Sequence, residues 1–116
     1  MKLAIVNSKG LEVCNLSDYI PSDVSEIIIG RADGASLQAV EYARENEITV
    51  QVFLPQHQKY RQFAQRERNI QIAQQADLIL AFWDGSSPDI QHLAFYCHET
   101  GTLIRLYVQT LEGSFE

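Results

Sequence analysis

One stretch limits the folds open to this chain. Leu78-Ile79-Leu80-Ala81-Phe82-Trp83 is an unbroken apolar run, followed by Asp84-Gly85-Ser86-Ser87 and then Pro88. Six apolar residues without alternation describe a strand covered on both faces, as in a parallel sheet. The small polar residues after it describe a loop. Ser87 before Pro88 describes a helix start, with a hydroxyl for the N-cap and a preset φ at the first helical position. Strand, short loop and helix N-terminus in that order make a seat for an anion or a nucleotide. The same order also serves as an ordinary connection with nothing bound, and the pattern alone does not choose between them.

The rest of the chain repeats the alternation. Lys2 to Asn7, Ser25 to Gly30, Ile48 to Leu54 and Thr102 to Val108 read as strands. A helix is expected from about Ala35 to Glu45, where Leu37, Val40 and Ala43 recur at helical spacing. Asn46 is its expected stop, because asparagine tolerates the left-handed conformation. Gln56 to Gln75 carries two apolar stripes, one through Tyr60, Phe63 and Ala64 and one through Ile70 and Ala73. It reads as a helix broken near Arg66 to Arg68. The last helix starts at Pro88, buries Ile90, Leu93, Ala94 and Cys97, and ends at Gly101. Between strands one and two only Leu16 to Ile20, ahead of Pro21, reads as a short helical turn. Alternating strands and helices imply an α/β fold: a Rossmann-like three-layer sandwich around a five-stranded parallel sheet. A length of 116 residues suits one domain, over residues 1–108, with residues 109–116 as a frayed C-terminal tail.

Composition narrows the function classes. A formal net charge of −6 argues against a general nucleic-acid binder. No apolar run is long enough for a membrane span, and the one after Met1 is too short for a signal peptide. Cys14 and Cys97 have no metal or redox spacing, which fits a reducing cytoplasm. His57, His92 and His98 share no face, so no metal site is expected. The positive charge is unevenly placed. Lys59, Arg61, Arg66 and Arg68 fall within ten residues, while Lys9 and Arg31 each follow a strand. An acidic chain with this distribution either holds an anion there or has a solvated helix face with ion pairs.

In a parallel sheet the loops after the strands meet on one edge, and ligands bind where the strand order reverses. That edge receives Asn7, Ser8 and Lys9 after strand one, and Arg31, Asp33 and Gly34 after strand two. It also receives Trp83, Asp84, Gly85, Ser86 and Ser87 after strand four. The segment after strand three can fold back to bring Arg68 and Asn69. Guanidinium groups present a fixed fork of donors that matches phosphate. Trp83 and Phe82 offer flat faces for a base, although a tryptophan at a strand end also packs against a core. Asp84-Gly85 also serves as a turn pair, and Arg68-Asn69 as a tie between helix and loop.

The glycine loop after strand two, Arg68-Asn69-Ile70, and the run from Ala76-Asp77 to Phe82-Trp83-Asp84-Gly85 together resemble the SLOG superfamily. The nearest branch is that of small Rossmann-like proteins related to the DNA-processing protein A and lysine-decarboxylase-like (LOG) folds. The resemblance covers about Lys2 to Val108. It implies strand order 3-2-1-4-5, a ligand edge between strands one and four, and binding of nucleotides or nucleotide-derived molecules. LOG enzymes cleave the N-glycosidic bond of nucleoside monophosphates. The family loop Gly-Gly-Ala-Arg-Gly-Ala-Asp corresponds here to Gly30-Arg31-Ala32-Asp33-Gly34-Ala35-Ser36. The family's Ser-x-Gly-Thr corresponds to Ser87-Pro88-Asp89-Ile90, and the LOG signature Pro-Gly-Gly-x-Gly-Thr-x-x-Glu is absent.

Three functional expectations follow. The first is a binding domain for a nucleotide or phosphorylated nucleotide derivative. There Arg68 and Lys9 contact phosphate, Arg31 adds a charged donor, Asn69 orients the loops, and Ser86 and Ser87 donate hydrogen bonds. The second is a hydrolase of LOG type, for which Asp33, Asp84 and Asp89 are the acids placed near the edge. The third is a non-binding interaction module whose edge is filled by its own ion pairs. Self-association through helices beside the sheet accompanies the resemblance.

Overall fold

The computed structural model describes residues 1–109. Lys2–Asn7 (β1), Glu26–Ile29 (β2), Thr49–Val52 (β3), Leu78–Trp83 (β4) and Ile104–Val108 (β5) form one parallel sheet in the order β3-β2-β1-β4-β5. The helices are Gly34–Glu45 (α1), His57–Tyr60 (α2), Ala64–Gln75 (α3) and Pro88–Thr100 (α4). Successive side chains of a strand leave on opposite sides, and in β1 and β4 both sides are apolar. Leu3, Ile5, Leu78, Leu80 and Phe82 pack with Ile27, Ile29 and the Ala35, Ala39 and Ala43 face of α1. Ala4, Val6, Ile79 and Ala81 point the other way, onto Ile72 and Ala73 of α3 and Ile90, Leu93 and Cys97 of α4. Each fully buried Leu or Ile contributes about 1.5–3 kcal/mol, so the doubly covered central strands carry most of the stabilising burial.

The chain reaches β2 and β3 on the α1 side, then crosses beneath the sheet through α2 and α3 to enter β4 beside β1. Asn7 pairs in register with Phe82, and Ile5 with Ile29 on the other flank. The order therefore reverses between β1 and β4, and the loops after both strands open there.

Local departures from the expected boundaries have physical causes. β2 ends at Ile29 rather than Gly30, because the Gly30 carbonyl accepts a hydrogen bond from Arg68 Nη1. β3 spans Thr49–Val52 rather than 48–54: the Ile48 N–H donates to the Ala43 carbonyl at 2.8 Å, closing α1, and Leu54 is exposed. β5 begins at Ile104, not Thr102. Asn46 is not left-handed; Glu47 is, with φ 55°, while Asn46 Nδ2 donates to the Tyr42 carbonyl at 2.9 Å. The expected break near Arg66 to Arg68 does not occur. α3 runs through those residues, and the chain turns instead at Arg61, with φ 54° and ψ −119°. Of the first expected stripe Ala64 is buried, Tyr60 half-buried and Phe63 exposed, whereas Arg68, Asn69, Ile72 and Ala73 are buried. Leu16–Tyr19 forms a single 3₁₀ turn, as the short run before Pro21 suggests. Gln109 is tied by its N–H to the Trp83 carbonyl at 2.8 Å; the rest of the expected tail, residues 110–116, lies outside the described residues.

Candidate functional site

Asn7 ends a strand that is buried from Leu3 onward, and its amide must find partners inside the protein. Its Nδ2 donates to the Ser8 carbonyl at 2.8 Å and to Asp33 Oδ1 at 3.0 Å. Its Oδ1 accepts from the Ser36 N–H at 3.0 Å and lies 2.6 Å from the Ser36 hydroxyl. One side chain thus joins the end of β1, the loop after β2 and the first turn of α1. Gly34 begins that turn with φ +54°, and a Cβ there would stand 2.2 Å from the Leu11 carbonyl oxygen. Its missing side chain makes room for the chain's own backbone.

Arg68 enters from below, on α3, and is 5% exposed. Its Nε donates to Asn69 Oδ1 at 2.9 Å and its Nη1 to the Gly30 carbonyl. Among the described residues no carboxylate lies within 4.0 Å of its guanidinium; the Arg31–Asp33 and Lys2–Glu26 pairs do not include it. Burial and the nearby Arg31 charge lower its pKa from the ordinary arginine value, while the Asp89 and Asp33 charges act in the opposite sense. An arginine nevertheless stays protonated. The result is a buried cation satisfied by neutral acceptors and short of negative charge.

Arg31 leans over the same place. Its Nε donates to Asp33 Oδ2 at 3.0 Å, and both side chains are partly exposed. Burial raises the Asp33 carboxyl pKa. The Asn7 amide, the Arg31 charge and the Gly10 N–H outweigh that and hold it below 3.8. Asn7, Gly30, Arg31, Ser36, Arg68 and Asn69 line a cavity of about 20 Å³. That is room for about one water-sized group, less than a phosphate needs.

The remaining residues expected at the edge divide among three places. Ser8 is buried, and its Oγ accepts the Asp84 N–H at 3.0 Å, tying the loops after β1 and β4. Ser8, Lys9 and Asp84 border an open hollow of about 410 Å³ above β1. Asp84 turns its carboxylate inward on its own loop: Oδ1 accepts the Ser86 and Ser87 N–H groups, each at 2.8 Å. Those donors lower the Asp84 pKa, against a smaller opposing effect of burial. Gly85 adopts φ 91° within that turn. Ser87 makes no side-chain cap for α4, contrary to the expectation from its position; its carbonyl accepts Trp83 Nε1 at 2.9 Å. Trp83 points to the α3/α4 side and borders a groove with Gln91, Ala94, Phe95 and His98. Phe82 points to the α1 side and stacks on Tyr107 with ring centroids 5.4 Å apart.

The geometry therefore gathers Arg31, Arg68 and Asn69 and leaves Trp83, Ser86 and Ser87 outside their cavity. Sequence reasoning places Asn7 at this edge without a role and passes over Ser36. The available signal was an amide closing an otherwise apolar strand, which has to be satisfied by buried partners. Comparison with models of known protein families, with curated proteins and with solved structures finds no match to this chain.

Proposed function

We propose that this chain is a Rossmann-like binding domain of SLOG type that holds the phosphate of a nucleotide or nucleotide derivative at the carboxyl end of β1, against the loop after β2. The observation that carries this reading is Arg68, a guanidinium 5% exposed, on the ligand edge, without a carboxylate partner among the described residues. A buried charge without a counter-charge is costly, and an anionic ligand would supply the missing charge. In this reading Arg68 and Arg31 take the phosphate and Asn69 holds the Arg68 fork. Lys9 attracts the remainder of the ligand along the open hollow above β1. Cytoplasmic residence belongs to the same reading, with Cys14 and Cys97 both free. So does self-association, for which exposed Phe95 on α4 offers an apolar surface. Among the described residues no helix is long and apolar enough to cross a membrane.

Hydrolysis of LOG type receives less support. A general acid works with a carboxyl raised toward neutrality, whereas Asp33 and Asp84 are both lowered. One observation favours the non-binding alternative: Arg31, which lines the cavity, is already paired with Asp33. A thermal-shift panel of nucleotides, NAD and ADP-ribose separates the two. A true ligand at about 100 times its Kd stabilises the wild type by roughly 2.7 kcal/mol, and Arg68→Met abolishes the shift. Absence of a shift with every phosphate-bearing compound would leave the interaction module as the better reading.

A further inference from the structure

We infer that the Asp33 carboxylate is a built-in stand-in for the ligand's anionic group, and that it restricts the site to ligands bearing a doubly charged phosphate. The inference rests on the anion-binding reading above and adds the group that the ligand must displace and the charge it must bring.

Asp33 stands at the N-cap position of α1, yet its side chain makes no cap hydrogen bond there. Both oxygens are used elsewhere. One accepts Asn7 Nδ2 and the other Arg31 Nε, each at 3.0 Å. An amide N–H and a guanidinium are the donors a phosphate would engage. Asp33 therefore occupies an anion's place with a group from the chain itself. The Asp33 and Arg31 side chains are 34% and 27% exposed, so the pair can part without unpacking the core. Arg31 lines the cavity, which measures only about 20 Å³ with the pair in place.

The charge balance then selects the ligand. Arg31 and Arg68 are close enough to depress the Arg68 pKa, and Asp33 pairs directly with Arg31 alone. A carboxylate or phosphodiester ligand brings one negative charge. Exchanging it for Asp33 replaces one monoanion with another, and the tethered one competes at high effective concentration. A terminal phosphate brings about −1.5 to −2 charges and three acceptor oxygens. It can engage both guanidinium groups together, which Asp33 does not.

Asp33→Asn, which removes the charge at nearly constant shape, is the direct test. Wild type and variant are titrated by NMR with pyrophosphate as the multiply charged probe and dimethyl phosphate as the singly charged one. The wild type is expected to bind pyrophosphate and discriminate against dimethyl phosphate. The variant should bind dimethyl phosphate about three- to fivefold tighter than the wild type, the scale of one partly exposed ion pair. Equal binding of both probes by both proteins overturns the stand-in and leaves the anion site intact. Weaker binding by the variant also overturns it, since Asp33 would then be positioning Arg31 for the ligand. If neither protein binds pyrophosphate or dimethyl phosphate, the stand-in and the anion-binding reading fall together. A second measurement needs only the wild type: the Asp33 carboxyl ¹³C resonance should shift as pyrophosphate saturates the site. An unmoved Asp33 resonance alongside shifted Arg68 signals would overturn displacement even if the variant did not fold.

Discussion

At Gly30 the neighbouring side chain leaves no space for a Cβ: one there would stand 2.6 Å from Cδ, Nε and Nη1 of Arg68. Gly30 is thus the surface on which the buried guanidinium lies, and its carbonyl is one of that guanidinium's acceptors. The other glycines are constrained differently. Gly34 combines φ +54° with a Leu11 carbonyl oxygen 2.2 Å from a would-be Cβ, whereas Gly101 has φ +75° and open space around it. Alanine substitutions should therefore rank by cost. Gly101→Ala loses about 1 kcal/mol, from backbone strain alone. Gly30→Ala loses about 1–3 kcal/mol from overpacking, and weakens anion binding as Arg68 moves. Gly34→Ala, meeting backbone at a left-handed position, loses more than either. Urea denaturation gives the order, and a Gly30→Ala protein as stable as wild type would contradict the packing account. At this scale the sequence revealed which residue types reach the edge but not their pairing. Arg31 and Arg68 are visible as positive charge in an acidic chain; that Asp33 takes one and leaves the other depends on side-chain directions set by tertiary packing. Ser86, Ser87 and Asp84 illustrate the same limit, since their donors and acceptors satisfy one another within the loop.

At the scale of elements, the strands were the most legible part. β1 and β4 lie between two helical layers, and that double covering is what an unbroken apolar run records. β3 was less legible because it lies at the sheet's edge, where its ends are released to neighbouring turns. The segment between β3 and β4 was misread at its break. Nothing in the Gln- and Arg-rich composition distinguishes Arg61 from Arg66 as the turning point, since neither is a glycine or proline. The turn is imposed by where α3 must dock to bury Arg68, Asn69, Ile72 and Ala73. Arg61 consequently adopts φ 54° and ψ −119°, which a residue with a side chain occupies at a cost of order 1–3 kcal/mol. Arg61→Gly should relieve that strain and, after the glycine's own entropy loss, raise stability by up to about 1 kcal/mol. A higher midpoint of denaturation with unchanged anion binding is the expected result. A destabilised variant would show that the Arg61 side chain contributes more than its backbone costs.

For the whole molecule, the α/β alternation was sufficient to infer a parallel sheet, and the observed order places its reversal between β1 and β4. The candidate cavity lies at the ends of β1 and β2, and Arg68 and Asn69 of α3 and Ile90 of α4 also line it, so the anion edge and the stability core share elements. The two thiols report on that coupling. Cys14 is exposed, while Cys97 is buried on α4 against β4, where burial pushes its thiol up to about 11. Only the thiolate reacts readily, so Cys97 is protected both by access and by protonation. Labelling with an aromatic disulfide at neutral pH should modify Cys14 promptly and Cys97 only as fast as α4 leaves the sheet. Denaturant should accelerate the slow phase in step with global unfolding. A ligand in the cavity, which Ile90 of α4 helps to line, should retard it by the same free energy with which it stabilises the fold. If Cys97 reacted nearly as fast as Cys14 and took no notice of ligand, α4 would be opening on its own. The helix would then be a separately fraying unit, and the stability of the site would not depend on that face of the sheet.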